Sequence, residues 1–264
     1  MQTVTSRDGT PIAFERLGDG LPVIAVCGAM CDRALMRPTA EELAKHFTVF
    51  NYDRRGRGDS GDNAPYAIER EIEDLDALIT EAGGNAYVYG HSSGAGLALH
   101  AAAAGLSVSR LVLHDPPYAP DGDEEARKSA LEYGEELETR LSEGRRGDAV
   151  ELFFTTVGMP GQMVDEIRQT PRWAELEEIA PTLAYDSEVM GDVGRDGSIP
   201  VDRAGAVEVP VLVLTGGADL PWMTDVGRRL AEVLPRGQHR ILEGQEHVVP
   251  PEVLVPVLSG FLAD

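Results

Sequence analysis

Cysteine is nearly absent. Cys27 and Cys31 are the only two in 264 residues, which excludes a disulfide framework, and no Cys or His grouping has the spacing of a structural metal site. No apolar run approaches the roughly 18 residues of a membrane span. Met1 to Pro11 carries no basic stretch leading into an apolar one, so no secretory leader is expected and the cytoplasm is the default. Repeats and low-complexity segments are missing as well. Basic residues are scarce, 23 against 45 acidic for a net charge of −22, and only Lys45 and Lys128 are lysines. A field of that sign disfavours nucleic acid and anionic membranes as partners. No pattern in the chain sets an oligomeric state, and none calls for a cofactor.

Hydrophobic residues make up 42% of the sequence, enough for a core, and their periodicity alternates between strand and helix. Thr3–Ser6 and Ile12–Arg16 alternate as a hairpin would. Pro22–Val26, Phe47–Tyr52, Ala86–Tyr89, Leu111–Leu113 and Val209–Leu214 are short apolar runs of the kind that strands covered on both faces require, and His239–Leu242 reads as a last short strand. Helices are expected at Ile68–Ala82, Leu97–Ala104, Gly227–Leu234 and Val253–Leu262. From Asp121 to about Met190 the period is helical throughout, with segments near 123–143, 146–157, 161–169 and 172–190 divided by Gly or Pro. The expected fold is therefore α/β: a mostly parallel sheet flanked by helices, with a core of residues 1–117 and 206–264 and a helical lid inserted at 118–205. Phe153, Phe154, Met159, Met163, Trp173 and Tyr185 are the lid residues that could line a substrate cavity or form the lid's own core.

Gly90-His91-Ser92-Ser93-Gly94 falls between the Ala86–Tyr89 run and the helical Leu97–Ala104. A sharp strand-to-helix turn strains the backbone at its centre and lifts that side chain clear of the sheet, and only small neighbours tolerate the crowding. Ser92 is the candidate nucleophile; the alternative is an ordinary tight turn. The N–H groups of Ala29, at the end of the Pro22–Val26 strand, and of Ser93, at the start of the next helix, are candidates for an oxyanion hole. Arg54, Arg55 and Arg57 could bind an anion, but in so acidic a chain they are expected to pair with Asp53, Asp59 and nearby acids and pin their own loop. Ser92, Asp219 and His247 each follow a strand, and in a parallel sheet those ends share one edge.

On Asp53-Arg54-Arg55-Gly56-Arg57-Gly58-Asp59-Ser60, the Ser92 pentapeptide, the Asp219 turn and Gly244-Gln245-Glu246-His247, the chain resembles the α/β-hydrolases over nearly its full length. The resemblance implies Ser92 as nucleophile, His247 as general base and then acid, Asp219 as the group that orients the imidazole, and a structural role for His91. Two features depart from it or compete with it. Cys27-Gly28 stands where members often carry His-Gly, and Asp115 ends the strand on which some members place the acid, so either carboxylate could face His247. A serine in place of an aspartate nucleophile disfavours epoxide-hydrolase and dehalogenase chemistry. The expected activity is hydrolysis of an ester, lactone or related acyl bond of a small to mid-sized, largely apolar metabolite, through an acyl-enzyme. The alternatives are cyclisation, rearrangement or carbon-carbon cleavage in the same pocket, and a binding protein without turnover.

Overall fold

Apolar strands that need cover on both faces find it in a sheet with helices packed on either side. The computed structural model, which describes residues 1–191 and 196–263, holds one eight-stranded sheet. Its strands are β1 (Gln2–Thr5), β2 (Pro11–Leu17), β3 (Pro22–Val26), β4 (Thr48–Tyr52), β5 (Ala86–His91), β6 (Val108–His114), β7 (Val211–Gly216) and β8 (Gly237–Leu242), in the spatial order β1-β2-β4-β3-β5-β6-β7-β8. The β1–β2 and β2–β4 pairs are antiparallel, and every pair from β4 across to β8 is parallel. All residues of β4 and β7 are buried, whereas β8 at the edge alternates exposure. The expected α/β fold is thus observed.

Helices α1 (Arg33–Leu43), α2 (Ile68–Glu81) and α3 (Ser93–Ala103) follow β3, β4 and β5. Between β6 and β7 come α4 (Glu124–Ser142), α5 (Arg146–Thr156), α6 (Gly161–Arg168), α7 (Arg172–Ile179), a single 3₁₀ turn at Ala180–Thr182, α8 (Leu183–Met190) and α9 (Val201–Gly205). Helices α10 (Pro221–Val233) and α11 (Pro251–Ala263) follow β7 and β8. Leu75 of α2, Leu97 of α3 and Val226 of α10 pack on one face of the sheet, and Met36 and Leu43 of α1 with Leu254 and Leu258 of α11 pack on the other. Helices α4 to α8 enclose a third cluster around Leu137, Val150, Trp173 and Leu183. Among the described residues no helix is long and apolar enough to cross a membrane.

Several boundaries differ from the sequence reading. Helix α10 starts at Pro221 rather than Gly227, because proline with its preset φ suits the first helical turn. Helices α1 and α9 were not expected; α1 carries an internal Pro38 and α9 has only five residues. The helical stretch expected at 172–190 is broken by the turn at Ala180–Thr182, where Pro181 cannot supply an N–H to a continuous helix.

Candidate active site

Ser92 sits between β5 and α3 with φ 56° and ψ −128°, in the positive-φ region that side chains rarely occupy. Packing holds it there. A side chain on Gly90 would run into the backbone of Gly94 and Ala95, and one on Gly94 into the carbonyls of Val26 and Cys27. The Ser92 N–H donates to His114 O at 2.8 Å, tying the turn to the end of β6. Among the described residues Ser92 Oγ makes no hydrogen bond. Ser93 opens α3, so its N–H has no acceptor within the helix and lies at the positive end of the helix dipole.

His247 lies beyond β8, half-buried, and its Nδ1 faces two carboxylates: Asp219 Oδ2 at 3.4 Å and Asp115 Oδ2 at 3.6 Å. The three ligand-type atoms lie within 4.8 Å of one another, the one grouping among the described residues with donors enough for a metal ion. One ionised carboxylate beside the imidazole is enough to stabilise a transient imidazolium. The carboxylates differ in setting. Asp115 has no exposed surface, adopts φ 46°, and accepts the Gly216 N–H at 3.1 Å. Burial pushes its carboxyl up to about 7; the Gly216 bond opposes this and the charge of Asp219 adds to it. Asp219 has 16% of its side chain exposed.

Burial lowers the pKa of His247 below 6.5, while the Asp219 carboxylate pulls the other way. The ring of His91 lies 4.7 Å from that of His247 and 4.9 Å from that of His114, and His91 Nε2 is 3.0 Å from His247 O. Burial, with His247 beside it, holds His91 down at about 3, and His114 is depressed as well. Both rings are therefore neutral over the physiological range, and they wall the His247 site without adding charge.

The arginine loop corrects the sequence reading in its partners. Asp53 and Asp59 pair with Arg33 of α1, not with the loop's own arginines. Arg54 makes a bidentate pair with Glu71, at 2.7 Å for each bond, and a 2.6 Å bond to Asp186. Arg55 pairs with Asp74 and Asp8. Arg57 reaches Asp186 Oδ2 at 2.7 Å and donates to Gly28 O at 2.6 Å. All three arginines are buried and held by acids, so they are engaged internally. Asp186, which the sequence reading passed over, was legible as a carboxylate on the stripe Leu183, Asp186, Ser187, Met190, the face that α8 buries.

A cavity of about 690 Å³ opens on the C-terminal edge of the parallel strands, and Ala29, Ser92, Ser93, Asp219 and His247 all line it. The sheet therefore gathers the residues singled out at separate strand ends; Asp115 lies behind them, in contact with His247. Of the six apolar residues singled out in the insertion, Phe153, Phe154 and Met159 reach the cavity. Trp173 packs inside the insertion, Met163 is exposed, and Tyr185 stacks on Tyr66. Tyr133 and Trp222 line the cavity unforeseen; Trp222 follows Pro221 directly, so placing the helix start there would have found it.

Comparison with known proteins places the fold. A family model described as the alpha/beta hydrolase family matches residues 23–253. An N-formylmaleamate deformylase of Pseudomonas putida is 33% identical over 143 residues, 53% of this chain and 53% of its own, so the match spans about half of that relative. The (E)-2-((N-methylformamido)methylene)succinate hydrolase of Acinetobacter baylyi is 25% identical over 97% of this chain and 95% of its own. The crystal structure of an alpha/beta hydrolase from Sphaerobacter thermophilus is 49% identical, covers 99% of this chain and 100% of its own, and superposes with a TM-score of 0.87.

Proposed function

Since the chain belongs to the alpha/beta hydrolase family, we propose that it is a serine hydrolase that cleaves an ester, lactone or related acyl bond through Ser92, His247 and Asp219. One observation carries this: a serine held at φ 56° opens on the same cavity as a histidine whose Nδ1 faces a carboxylate at 3.4 Å. In this reading neutral His247 takes the Ser92 proton as Oγ bonds to the acyl carbon. The Ala29 and Ser93 N–H groups hold the oxyanion, a contribution on the order of 3 kcal/mol each. Collapse of the tetrahedral adduct breaks the bond to the leaving group, which departs with the proton from His247. Water then repeats the sequence on the acyl-enzyme and restores Ser92. Asp219 holds the imidazole by its Nδ1 throughout and stabilises its charged form.

Pocket chemistry bears on the substrate. Phe153, Phe154, Met159 and Trp222 present apolar surface, and 690 Å³ suits a small to mid-sized molecule rather than a polymer. Among the described lining residues the acidic side chains are Asp123, Glu125, Asp186 and Asp219, and none is Lys or Arg. A carboxylate on the substrate would lose its hydration without gaining a cation. The reading is therefore an uncharged acyl substrate, although the two relatives above are named for carboxylate-bearing ones. The helices between β6 and β7 act as a lid that excludes water.

A panel of neutral esters, lactones and N-formyl amides, each paired with a hemisuccinate or other anionic analogue, tests the reading. We expect turnover of neutral members, a preference over their anionic partners of at least about tenfold in kcat/KM, and a loss of roughly a thousandfold or more in Ser92→Ala. Turnover retained in Ser92→Ala, or ring closure or carbon-carbon cleavage without uptake of water, would overturn it.

A further inference from the structure

We infer that Arg57, held by Asp186 of the helical insertion, is a positioning residue that aims and strengthens the Ala29 N–H as an oxyanion donor. This rests on the serine-hydrolase reading above. The peptide unit between Gly28 and Ala29 has the Gly28 carbonyl at one end and the Ala29 N–H at the other. In a planar trans peptide these point in opposite directions, so whatever fixes the carbonyl fixes the donor. Arg57 Nη1 donates to Gly28 O at 2.6 Å and to Cys31 O at 3.2 Å, which clamps the segment on both sides of Ala29. The same unit presses against the nucleophile: a Cβ built on Gly28 would lie 2.8 Å from Ser92 Cβ and 3.4 Å from its Oγ.

A cation on the carbonyl does more than hold it. A charge-assisted bond to the oxygen draws electron density through the amide and makes the N–H at the other end a better donor, the cooperative strengthening expected of hydrogen bonds in series. The effect is largest where the surroundings are dry, and Arg57 is buried to 1% exposure.

Asp186 completes the device. Its Oδ2 accepts from Arg57 at 2.7 Å, and its Oδ1 accepts from Arg54 at 2.6 Å and from the Ser93 hydroxyl at 2.7 Å. Burial raises this carboxyl, but the two guanidiniums outweigh burial and hold it ionised below the usual range. Arg54 also donates to Cys27 O at 3.3 Å. One carboxylate of α8 therefore anchors the residues carrying both oxyanion donors: the Ala29 loop through Arg57 and Ser93 through its own hydroxyl. The helical insertion and the oxyanion hole are mechanically one unit.

The test compares wild type, Arg57→Met, Arg57→Lys, Asp186→Asn and Ser92→Ala on a neutral ester that the panel above identifies. For each active variant, kcat, KM and the Ki of a trifluoromethyl ketone are measured; the tetrahedral adduct of that inhibitor places an oxyanion in the hole. Removing an oxyanion donor outright costs about 10² to 10³ in kcat; weakening one should cost less. We expect Arg57→Met and Asp186→Asn to lower kcat about ten- to thirtyfold, to leave KM within about threefold, and to raise the Ki in step with the loss of kcat/KM. Arg57→Lys, which keeps one cationic donor, should recover most of the loss.

Loss of stability alone would leave the Ki and kcat of the folded fraction unchanged. Asp186→Asn keeps the side-chain volume and carries the test if Arg57→Met does not fold. Unchanged kcat and Ki in folded Asp186→Asn or Arg57→Met, with Ser92→Ala inactive, would overturn the inference and leave the serine-hydrolase reading standing. Full activity in Ser92→Ala would overturn both.

Discussion

Asp115 and Asp219 approach the same nitrogen of His247, at 3.6 and 3.4 Å, from the ends of neighbouring strands and in unequal surroundings. Asp115 is fully buried, and desolvation pushes its carboxyl up to about 7. Asp219 keeps contact with water and cavity. A carboxyl that is partly protonated near neutrality is a poor counter-ion for an imidazolium, which favours Asp219 as the orienting acid.

The two substitutions separate these roles. We expect Asp219→Asn to lower kcat/KM by about 10³ or more, the size of effect that loss of the orienting acid has in triad enzymes, and Asp115→Asn by less than about tenfold. Steady-state kinetics on a neutral ester decide it; the reverse ranking would make Asp115 the acid.

Stability gives Asp115 a second test. Its folded pKa of about 7 lies above the ordinary 3.8, so the folded state binds the proton more tightly than the unfolded chain does. The associated stability is present below about pH 4 and is lost as pH rises through 7. At about 1.4 kcal/mol for each tenfold change in proton affinity, this amounts to roughly 4 kcal/mol. Asp115→Asn, which keeps an acceptor for Gly216 and tolerates the positive φ, should therefore stabilise the protein at pH 8 and change little at pH 4. Urea unfolding at the two pH values measures this, and destabilisation at pH 8 would contradict it.

The pH profile follows from His247. Its pKa lies below 6.5 because burial outweighs the pull of Asp219, and as the proposed base it must be neutral to take the Ser92 proton. The acid limb of kcat/KM should accordingly have its midpoint below pH 6.5, with activity falling as pH drops through it. A midpoint above 6.5 would mean that the carboxylates, not desolvation, govern the imidazole.

Much of this was legible in the sequence because the strands announce themselves. Val211–Leu214 is apolar on both faces and could only be a central strand, and the Gly-x-Ser-x-Gly turn between β5 and α3 marked Ser92. What the sequence hid were relationships set by tertiary packing. The partners of Arg54 and Arg57 come from Glu71 and from Asp186, 132 and 129 positions away from the respective arginines in the case of Asp186, and no local rule selects them over the adjacent Asp53 and Asp59. Helix α1 went unseen although Asp32 caps it by accepting the Leu35 N–H; internal Pro38 masked the pattern. Trp222 was missed with the start of α10.

Covalent labelling of Ser92 bears most directly on the nucleophile. Wild type, Ser92→Ala and His247→Gln are treated with a fluorophosphonate and followed by intact mass and peptide mapping. We expect one adduct on wild type, mapped to Ser92, none on Ser92→Ala, and labelling slowed by about a hundredfold or more in His247→Gln. An adduct on Ser92→Ala forming at the wild-type rate, or wild-type protein that turns over esters yet never labels, would contradict a mechanism built on this serine.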